Sequence, residues 1–195
     1  ARFPISGDIS KMFLRILLDP DDCKYHRFLW RTNEDEDPDI YQLNCVIFGN
    51  PASPFLASYV IKRIIKDYGI NKPEACDVLE KDLYMDDLIR SCIAALEAQK
   101  TVQDVCKMLD EGELKMQNWI SNRPCVLSGV PDGLLRFYQS KEKVLGMTWD
   151  SHADQIRFFP VLENVSWTKR GVRRQLARIF DPMGCWLHFW CAVRF

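Results

Sequence analysis

Residues 84–89 read Tyr-Met-Asp-Asp-Leu-Ile, so two adjacent carboxylates, Asp86 and Asp87, interrupt a run of apolar residues. Their apolar neighbours favour the interior of a sheet, where an unpaired charge is costly. A strand, a tight turn containing Asp86 and a returning strand would place both carboxylates at a hairpin tip, anchored below by Leu83 and Leu88. The stretch therefore predicts a β-hairpin of an antiparallel sheet that presents two acidic groups.

The segments on both sides mix further strands with helices. An amphipathic helix is predicted from Pro54 to Lys66, with Ser53 as its N-cap, and another from Ala94 to Glu111, closed by Gly112. Apolar or alternating residues predict strands over the ranges 3–8, 24–31, 40–48, 76–92, 144–149 and 155–161. This mixture indicates an α+β fold in which helices pack on an antiparallel sheet.

Composition limits the classes of protein that fit the chain. It has 195 residues, 47% of them hydrophobic, which suffices for one compact domain with a core. Because the net charge is −1, binding to a polyanion would depend on a local patch, such as the basic residues between 169 and 178. The acidic run Glu34–Asp39 is typical of an exposed hairpin tip.

Cysteine usage and hydropathy indicate a soluble, intracellular protein. The eight cysteines show no C-x-x-C spacing and lie mostly in apolar segments, which favours free thiols in a reducing compartment. No apolar stretch approaches the ~20 residues that span a bilayer. A possible strand begins almost at Ala1, so we expect the chain to be a piece of a longer polypeptide.

The carboxylates also suggest a metal site. Asp8 ends the first apolar strand, which could lie beside the hairpin, so three oxygen ligands would come from adjacent strands. Such ligands suit Mg²⁺, which takes its other ligands from water and phosphates. Two such ions can activate an attacking hydroxyl and stabilise a leaving oxygen in phosphoryl transfer. For an isolated Asp-Asp pair, an exposed turn is the alternative.

Five motifs support the metal site. They are DISKMF at 8–13, FGNPASPFLA at 48–57, YMDD at 84–87, VLGMTWD at 144–150 and TKRGVRRQLARIFDPMG at 168–184. In this order they resemble the first aspartate motif, the motif that opens the helix under the nucleotide, the catalytic hairpin, the primer-grip hairpin and a basic helix. The family that they resemble is the reverse transcriptases, specifically those of Pao/BEL-type long-terminal-repeat retrotransposons.

The resemblance implies a polymerase palm, an antiparallel sheet with helices packed on one face. The palm would cover residues 1–164, with part of a fingers hairpin at 24–48, and a basic helix at 165–195 would begin the thumb or connection region. The implied reaction is RNA-directed DNA synthesis, in which two Mg²⁺ ions, or Mn²⁺ in their place, support transfer of a deoxynucleotide to a primer 3′ end. Implied partners are a primed RNA or DNA template, deoxynucleoside triphosphates and the rest of a retrotransposon polyprotein, in cytoplasmic particles.

The resemblance also implies roles for single residues. Asp8, Asp86 and Asp87 would be the catalytic, metal-binding carboxylates. Phe13 would be the steric gate, because a bulky ring under the sugar leaves no room for a 2′-hydroxyl and so favours DNA synthesis. Simple packing in the core is the alternative for Phe13.

Further nucleotide contacts are implied at Phe48, Gly49 and Met85. Glycine lets the backbone approach the base pair being formed, and the flexible thioether of Met85 would lie against the primer end or fill the core. Phe48 stands where the better-known retroviral pattern has glutamine. Asn118 stands where the family pattern favours a basic residue.

The C-terminal part would add nucleic-acid contacts. Leu145, Gly146 and Met147 would form the hairpin that positions the primer terminus. A last helix is predicted from Thr168 to Phe180, and its arginines would face phosphates, with a solvated helix face as the alternative. These arginines are Arg170, Arg173, Arg174 and Arg178.

Two other classes stay open. One is a catalytically incompetent retrotransposon remnant that keeps the palm fold and binds nucleic acid weakly. The resemblance implies a fingers region upstream of Asp8 that contacts the triphosphate, and only seven residues precede Asp8 here, so we expect these residues alone to polymerise poorly. The other class is an enzyme that uses paired carboxylates as acid and base on a sugar, which leaves the other motifs unexplained.

Overall fold

The structure is a computed structural model that describes residues 2–136, 142–144, 147–151, 153–157 and 168–176. Its helices are α1 (Pro20–Cys23), α2 (Ser53–Tyr68), α3 (Pro73–Lys81), α4 (Ala95–Glu111) and α5 (Lys169–Leu176). Its strands are β1 (Phe3–Ile9), β2 (Arg27–Trp30), β3 (Asp39–Gln42), β4 (Leu83–Tyr84), β5 (Asp87–Cys92), β6 (Met116–Ser121), β7 (Glu142–Val144), β8 (Met147–Asp150) and β9 (Gln155–Arg157). The fold is α+β, as the mixture of patterns predicted.

By internal contacts the chain divides into two compact units, Ala1–Phe137 and Tyr138–Phe195. The division falls earlier than the predicted boundary at residue 164. That boundary follows from the family resemblance and stays a prediction.

A four-stranded antiparallel sheet forms the centre of the first unit, with the strand order β4-β5-β1-β6. The predicted hairpin is confirmed, because Leu83 of β4 pairs with Leu88 of β5 across a two-residue turn. The side chain of Leu88 is fully buried and anchors the hairpin in the core. The first strand pairs with β5 from Phe3 to Asp8, so the hairpin and β1 are neighbours in one sheet.

Helices cover the sheet and complete the core. The long helix α4 packs against β1 and β5, while α2 and α3 pack against α4 and against each other. Burial of the apolar stripe of α4 supplies much of the driving force for this packing. The buried side chains of that stripe are Ala98, Val102, Val105, Met108 and Leu109.

One segment predicted as strand is a helix. Residues 76–92 were expected to be extended throughout, but Pro73–Lys81 forms α3, and strand structure begins only at Leu83. The buried residues Ala75, Val78 and Leu79 follow a helical spacing of three and four. Pro73 at the first helical position supports the same start, since its missing N–H needs no partner there.

Strand β6 was not predicted. Its buried and half-buried residues do not alternate, because the β1–β6 register shifts between Ser6 and Asp8 and Asn118 adopts a left-handed φ of 56°. An irregularity of this kind breaks the period of two by which a strand is recognised. Trp119 of the same strand is fully buried and lies over Gly7 of β1.

The predicted hairpin at 24–48 is confirmed in its central part. Strands β2 and β3 pair antiparallel with Arg27 opposite Gln42, and the acidic run Glu34–Asp39 lies at the tip. All eight residues of the two strands are exposed.

The described part of the second unit contains a three-stranded antiparallel sheet, β7-β8-β9, and helix α5. Val144 of β7 pairs with Met147 of β8, which is consistent with the predicted hairpin at 144–149. The predicted last helix is confirmed over Lys169–Leu176, and its remainder to Phe180 lies outside the described residues. In the parts of the chain that the structure describes, no helix has the length and apolar character to cross a membrane.

Candidate functional site

Sheet pairing brings the predicted carboxylates together. Asp8 of β1 is the direct antiparallel partner of Asp87 of β5. Asp86 lies in the turn just before Asp87, and its backbone carbonyl accepts a hydrogen bond of 2.8 Å from the N–H of Ile9. All three carboxylates are half-buried at one end of the sheet. The two motifs that carry them are far apart in sequence and meet through β1–β5 pairing.

The turn of the hairpin requires an unusual backbone. Met85 has a φ of 57°, and Lys11 and Asn118 near the same end of the sheet have φ values of 51° and 56°. Left-handed backbone is uncommon outside glycine and costs about 1 kcal/mol or more for most side chains. The surrounding pairing holds Met85 in this conformation, which places Asp86 at the tip.

Burial and neighbouring acidic groups both disfavour the ionised form of Asp87. Burial raises the pKa of the Asp87 carboxyl above its ordinary value, and the negative charges of Asp86 and Asp8 raise it further. Like charges held close together disfavour ionisation of each other. The end of the sheet is therefore a place where negative charge accumulates and a cation would be stabilised.

Two amides already hold the Asp8 carboxylate. The Gln117 side chain donates a hydrogen bond of 2.9 Å from Nε2 to Oδ2 of Asp8, and Asn118 donates one of 2.7 Å from Nδ2 to Oδ1. Both amides belong to β6, where Gln117 is the sheet partner of Asp8 on the side opposite Asp87. Each carboxylate oxygen of Asp8 thus accepts a bond from a neutral donor.

The donor set suits a divalent cation, but its arrangement in this structure does not. Carboxylate oxygens are the ligands that Mg²⁺ and Mn²⁺ prefer, and Asp8, Asp86 and Asp87 supply six of them. Among the described residues, however, no group of three or more His, Cys, Asp or Glu side chains is arranged to hold a metal ion. In this structure both oxygens of the Asp8 carboxylate accept hydrogen bonds from β6.

The predicted nucleotide-contact residues lie on two segments of the first unit. Phe13 begins a short 3-10 turn, is 7% exposed, and packs its ring against that of Phe48 at a centroid distance of 4.8 Å. Phe48 is 70% exposed. The Phe13 ring therefore belongs to the core on one side and is partly covered by Phe48 on the other.

Gly49 follows directly and has a φ of 87°, a conformation that glycine adopts without strain. Among the described residues, no atom lies within 4 Å of where a Cβ at Gly49 would be, so the backbone here faces open space.

The start of α2 differs from the prediction. Ser53 was expected to cap the helix, but it is the first helical residue, Ala52 occupies the N-cap, and no side chain caps the helix there. The Ser53 hydroxyl instead donates to the backbone carbonyl of Ile47. Asn50 orders the preceding turn, because its Oδ1 accepts a hydrogen bond of 2.9 Å from the N–H of Ala52. These bonds hold the 47–53 segment against α2.

The predicted nucleic-acid contacts of the second unit are only partly described. Met147 is half-exposed at the start of β8, whereas Leu145 and Gly146 lie outside the described residues. Arg170, Arg173 and Arg174 are exposed on α5, where the N–H of Gly171 donates a bond of 3.1 Å to the Thr168 hydroxyl. Arg178 also lies outside the described residues.

One residue that contacts the site was missed by the sequence analysis. Gln117 bonds Asp8 directly, but it lies on the strand whose irregular pattern hid it. The usable signal was the run of amides, Gln117-Asn118, beside an aromatic in an otherwise apolar segment. Buried or half-buried amides need polar partners, and a carboxylate on an adjacent strand is one.

Comparison with known proteins adds no family assignment. The chain matches no family model. No curated protein matches it at a significant level either.

Proposed function

We propose that the chain is the palm of an RNA-directed DNA polymerase that transfers deoxynucleotides to a primer 3′ end. The observation that carries the proposal is the direct β1–β5 pairing of Asp8 with Asp87, beside the turn residue Asp86. These residues come from two motifs about 80 residues apart, and the proposal requires them to meet. Pairing in one sheet is what a shared site on a rigid scaffold needs.

The proposed ligands of Mg²⁺, or of Mn²⁺ in its place, are Asp8, Asp86 and Asp87. The ions, when bound, would supply charge stabilisation for in-line phosphoryl transfer. The chain itself contributes the position of the carboxylates, through the β4–β5 hairpin and the buried anchor Leu88. The raised pKa of Asp87, caused first by burial and then by the charges of Asp86 and Asp8, supports this role, because carboxylates held together in this way favour a bound cation.

Selection of the sugar is proposed for Phe13. Its ring is held in place by the core and by Phe48, so it cannot easily move aside for a 2′-hydroxyl. Gly49, with open space beside it, and Met85, in the turn next to Asp86, are the proposed contacts to the nucleotide and the primer end.

The second unit is proposed to hold nucleic acid. Its hairpin at Val144–Met147 would position the primer terminus, with Leu145 and Gly146 between them. The exposed arginines of α5 would contact phosphates and make binding dependent on salt. The proposed partners are a primed RNA or DNA template, deoxynucleoside triphosphates and the remainder of a retrotransposon polyprotein.

A second candidate is a non-catalytic remnant of such a polymerase that binds nucleic acid weakly. The amide bonds to Asp8 favour it, because both oxygens of that carboxylate are engaged by β6. Under this candidate the sheet pairing of Asp8 and Asp87 would be a structural relic.

Primer extension separates the two candidates. Oligo(dT) on poly(rA) with dTTP and Mg²⁺ is tested with the full-length protein that contains these residues. The proposal predicts extension that is lost in Asp86→Asn and retained in Asp110→Asn, a control that changes an exposed carboxylate of α4. A folded protein that retains Asp8, Asp86 and Asp87 but shows no extension would support the remnant instead.

A further inference from the structure

Asp8 stands between two different neighbours in the sheet. On one side its strand partner is Asp87, and on the other it is Gln117. The first neighbour repels the Asp8 carboxylate, whereas the second offers an amide donor. The Asp8 carboxylate is therefore repelled from the β5 side and attracted to the β6 side.

In the structure, the Asp8 side chain is hydrogen-bonded to β6. Gln117 and Asn118 each donate to a different oxygen of Asp8, at 2.9 Å and 2.7 Å. Hydrogen bonds to an ionised carboxylate are stronger than those between neutral groups. Asn118 reaches its acceptor from a backbone with a φ of 56°, a conformation that asparagine tolerates better than most residues.

We propose that Gln117 and Asn118 are positioning residues that form a latch on Asp8, a pair of amide bonds that must be partly exchanged when a divalent cation binds. This inference rests on the proposed function. A dication between Asp8, Asp86 and Asp87 would convert their repulsion into attraction and draw the Asp8 carboxylate away from β6. The cation and the amides therefore compete for the same two oxygens.

The latch explains two observations together. It explains why three carboxylates at one end of the sheet form no three-ligand group among the described residues. It also gives a function to two polar side chains on an otherwise buried strand, where Met116, Trp119 and Ile120 fill the core. Because the cation and the amides compete for Asp8, a substitution that weakens the latch should increase the affinity for the cation.

The test measures Mn²⁺ affinity by the electron paramagnetic resonance signal of the free ion. Gln117→Met removes the amide at similar side-chain length, and Asn118→Gly removes the other amide while tolerating the left-handed backbone. Each variant is expected to bind Mn²⁺ about tenfold more tightly, which corresponds to ~1.4 kcal/mol. Circular dichroism verifies that each variant is folded.

Matched controls remove comparable amides elsewhere. Gln99→Met loses bonds from its Nε2 to the carbonyl and hydroxyl of Ser128, and Asn122→Gly loses a bond to the carbonyl of Arg2. Neither control is expected to change Mn²⁺ affinity. Unchanged or weaker affinity in both latch variants, in a chain that binds Mn²⁺ through Asp8, would overturn the latch.

A second readout is made on the wild-type protein, and the variants serve only to assign its signals. The side-chain NH₂ signals of Gln117 and Asn118, assigned by the two variants, are followed in ¹⁵N-labelled protein during addition of Mg²⁺. At least one is expected to shift as it loses its carboxylate acceptor, and two stationary signals at saturating Mg²⁺ would contradict the latch.

The variant Asp8→Asn, measured in the same Mn²⁺ binding experiment, distinguishes failure of the latch from failure of the proposed function. If Asp8→Asn leaves Mn²⁺ affinity unchanged, Asp8 is not a ligand, and the proposed metal site fails together with the latch. If Asp8→Asn weakens binding and the latch variants do not strengthen it, only the latch fails.

Discussion

Asp8 and Asp87 are cross-strand partners at the end of an antiparallel ladder that continues through Phe3 and Cys92. Two carboxylates in this relationship repel each other, and their pairing is maintained by the remaining bonds of the ladder and by the buried Leu88. The fold thus holds two like charges close together at one end of its central sheet. A cation bound between them would offset their repulsion.

Burial of Asp87, together with repulsion from Asp86 and Asp8, should make stability depend on pH. A carboxyl whose pKa is raised on folding binds its proton more tightly in the folded state, so stability falls as pH rises through the folded pKa. In metal-free buffer with chelator, Asp87→Asn is therefore expected to have a higher Tm than wild type at pH 7. The difference should vanish as pH falls toward 4 and below.

Asp77→Asn is the matched control with the opposite sign. Its hydrogen bond to Lys81 lowers the pKa of Asp77, so its charged form adds stability at neutral pH. This variant should be less stable than wild type at pH 7, and the difference should be lost as pH falls through the lowered pKa. A Tm decrease in Asp87→Asn at pH 7 would show that its charge is stabilised by a group other than those described.

Gly7 of β1 lies close beneath two side chains of β6. A Cβ at this position would lie 2.9 Å from Cε3 of Trp119 and 3.0 Å from Cε of Met116. Gly7→Ala is therefore expected to lower the free energy of unfolding by about 1–3 kcal/mol, as overpacking does in a close-packed core. Urea denaturation measures the change.

Gly133→Ala is the control for Gly7, since no described atom lies within 4 Å of the Cβ that it would add. Its unfolding free energy should stay within about 0.5 kcal/mol of wild type. Equal effects of the two substitutions would mean that Trp119 does not pack on β1 as described.

Phe13 should discriminate against ribonucleotides if it is a gate. In the full-length protein, Phe13→Val is expected to raise the kcat/KM ratio of ribonucleotide to deoxynucleotide about tenfold or more, because a pocket that loses ring volume admits a hydroxyl. Phe55→Val, which alters an exposed ring stacked on Tyr59 of α2, is the matched control and should leave the ratio unchanged. An unchanged ratio in Phe13→Val would assign Phe13 to the core alone.

Cysteine reactivity tests the packing of α4. Burial raises the pKa of the Cys106 thiol to about 11, so at pH 8 only about one molecule in a thousand carries the reactive thiolate there. Iodoacetamide should label exposed Cys125 long before Cys106, as read by peptide mass mapping. In denaturing urea both should react alike, and fast labelling of Cys106 in the folded protein would contradict its burial.

Much of the fold was predictable because its central elements have regular patterns. Helix α4 has an uninterrupted apolar stripe and ends beside Gly112, and the β4–β5 hairpin follows from apolar residues around a two-residue acidic turn. Helix α3 was missed because Val78 and Leu79 adjoin the apolar hairpin, and a short helix next to a strand blurs both periods.

The site was predictable only in part, because the contact between Asp8 and the amides of β6 forms only in the tertiary structure. The three carboxylates could be predicted from short motifs, but the partner of Asp8 on β6 depends on a register shift and on the left-handed Asn118. No local pattern encodes which amides reach a carboxylate more than 100 residues away. The prediction of Ser53 as a cap was wrong for a similar reason. Its hydroxyl donates to the Ile47 carbonyl, and the path of the preceding loop, which no local pattern encodes, brings that carbonyl within reach.

The proposed polymerase site requires Asp8, Asp86 and Asp87 to act together as one cation site. Fe²⁺ bound in place of Mg²⁺, with ascorbate and hydrogen peroxide, cleaves the backbone near the ion, and mass spectrometry locates the cuts. We predict cuts both in β1 near Asp8 and in the hairpin near Asp86, suppressed by excess Mg²⁺ and by Asp87→Asn. Cuts confined to the acidic run Glu34–Asp39, or to the hairpin with none in β1, would contradict the account.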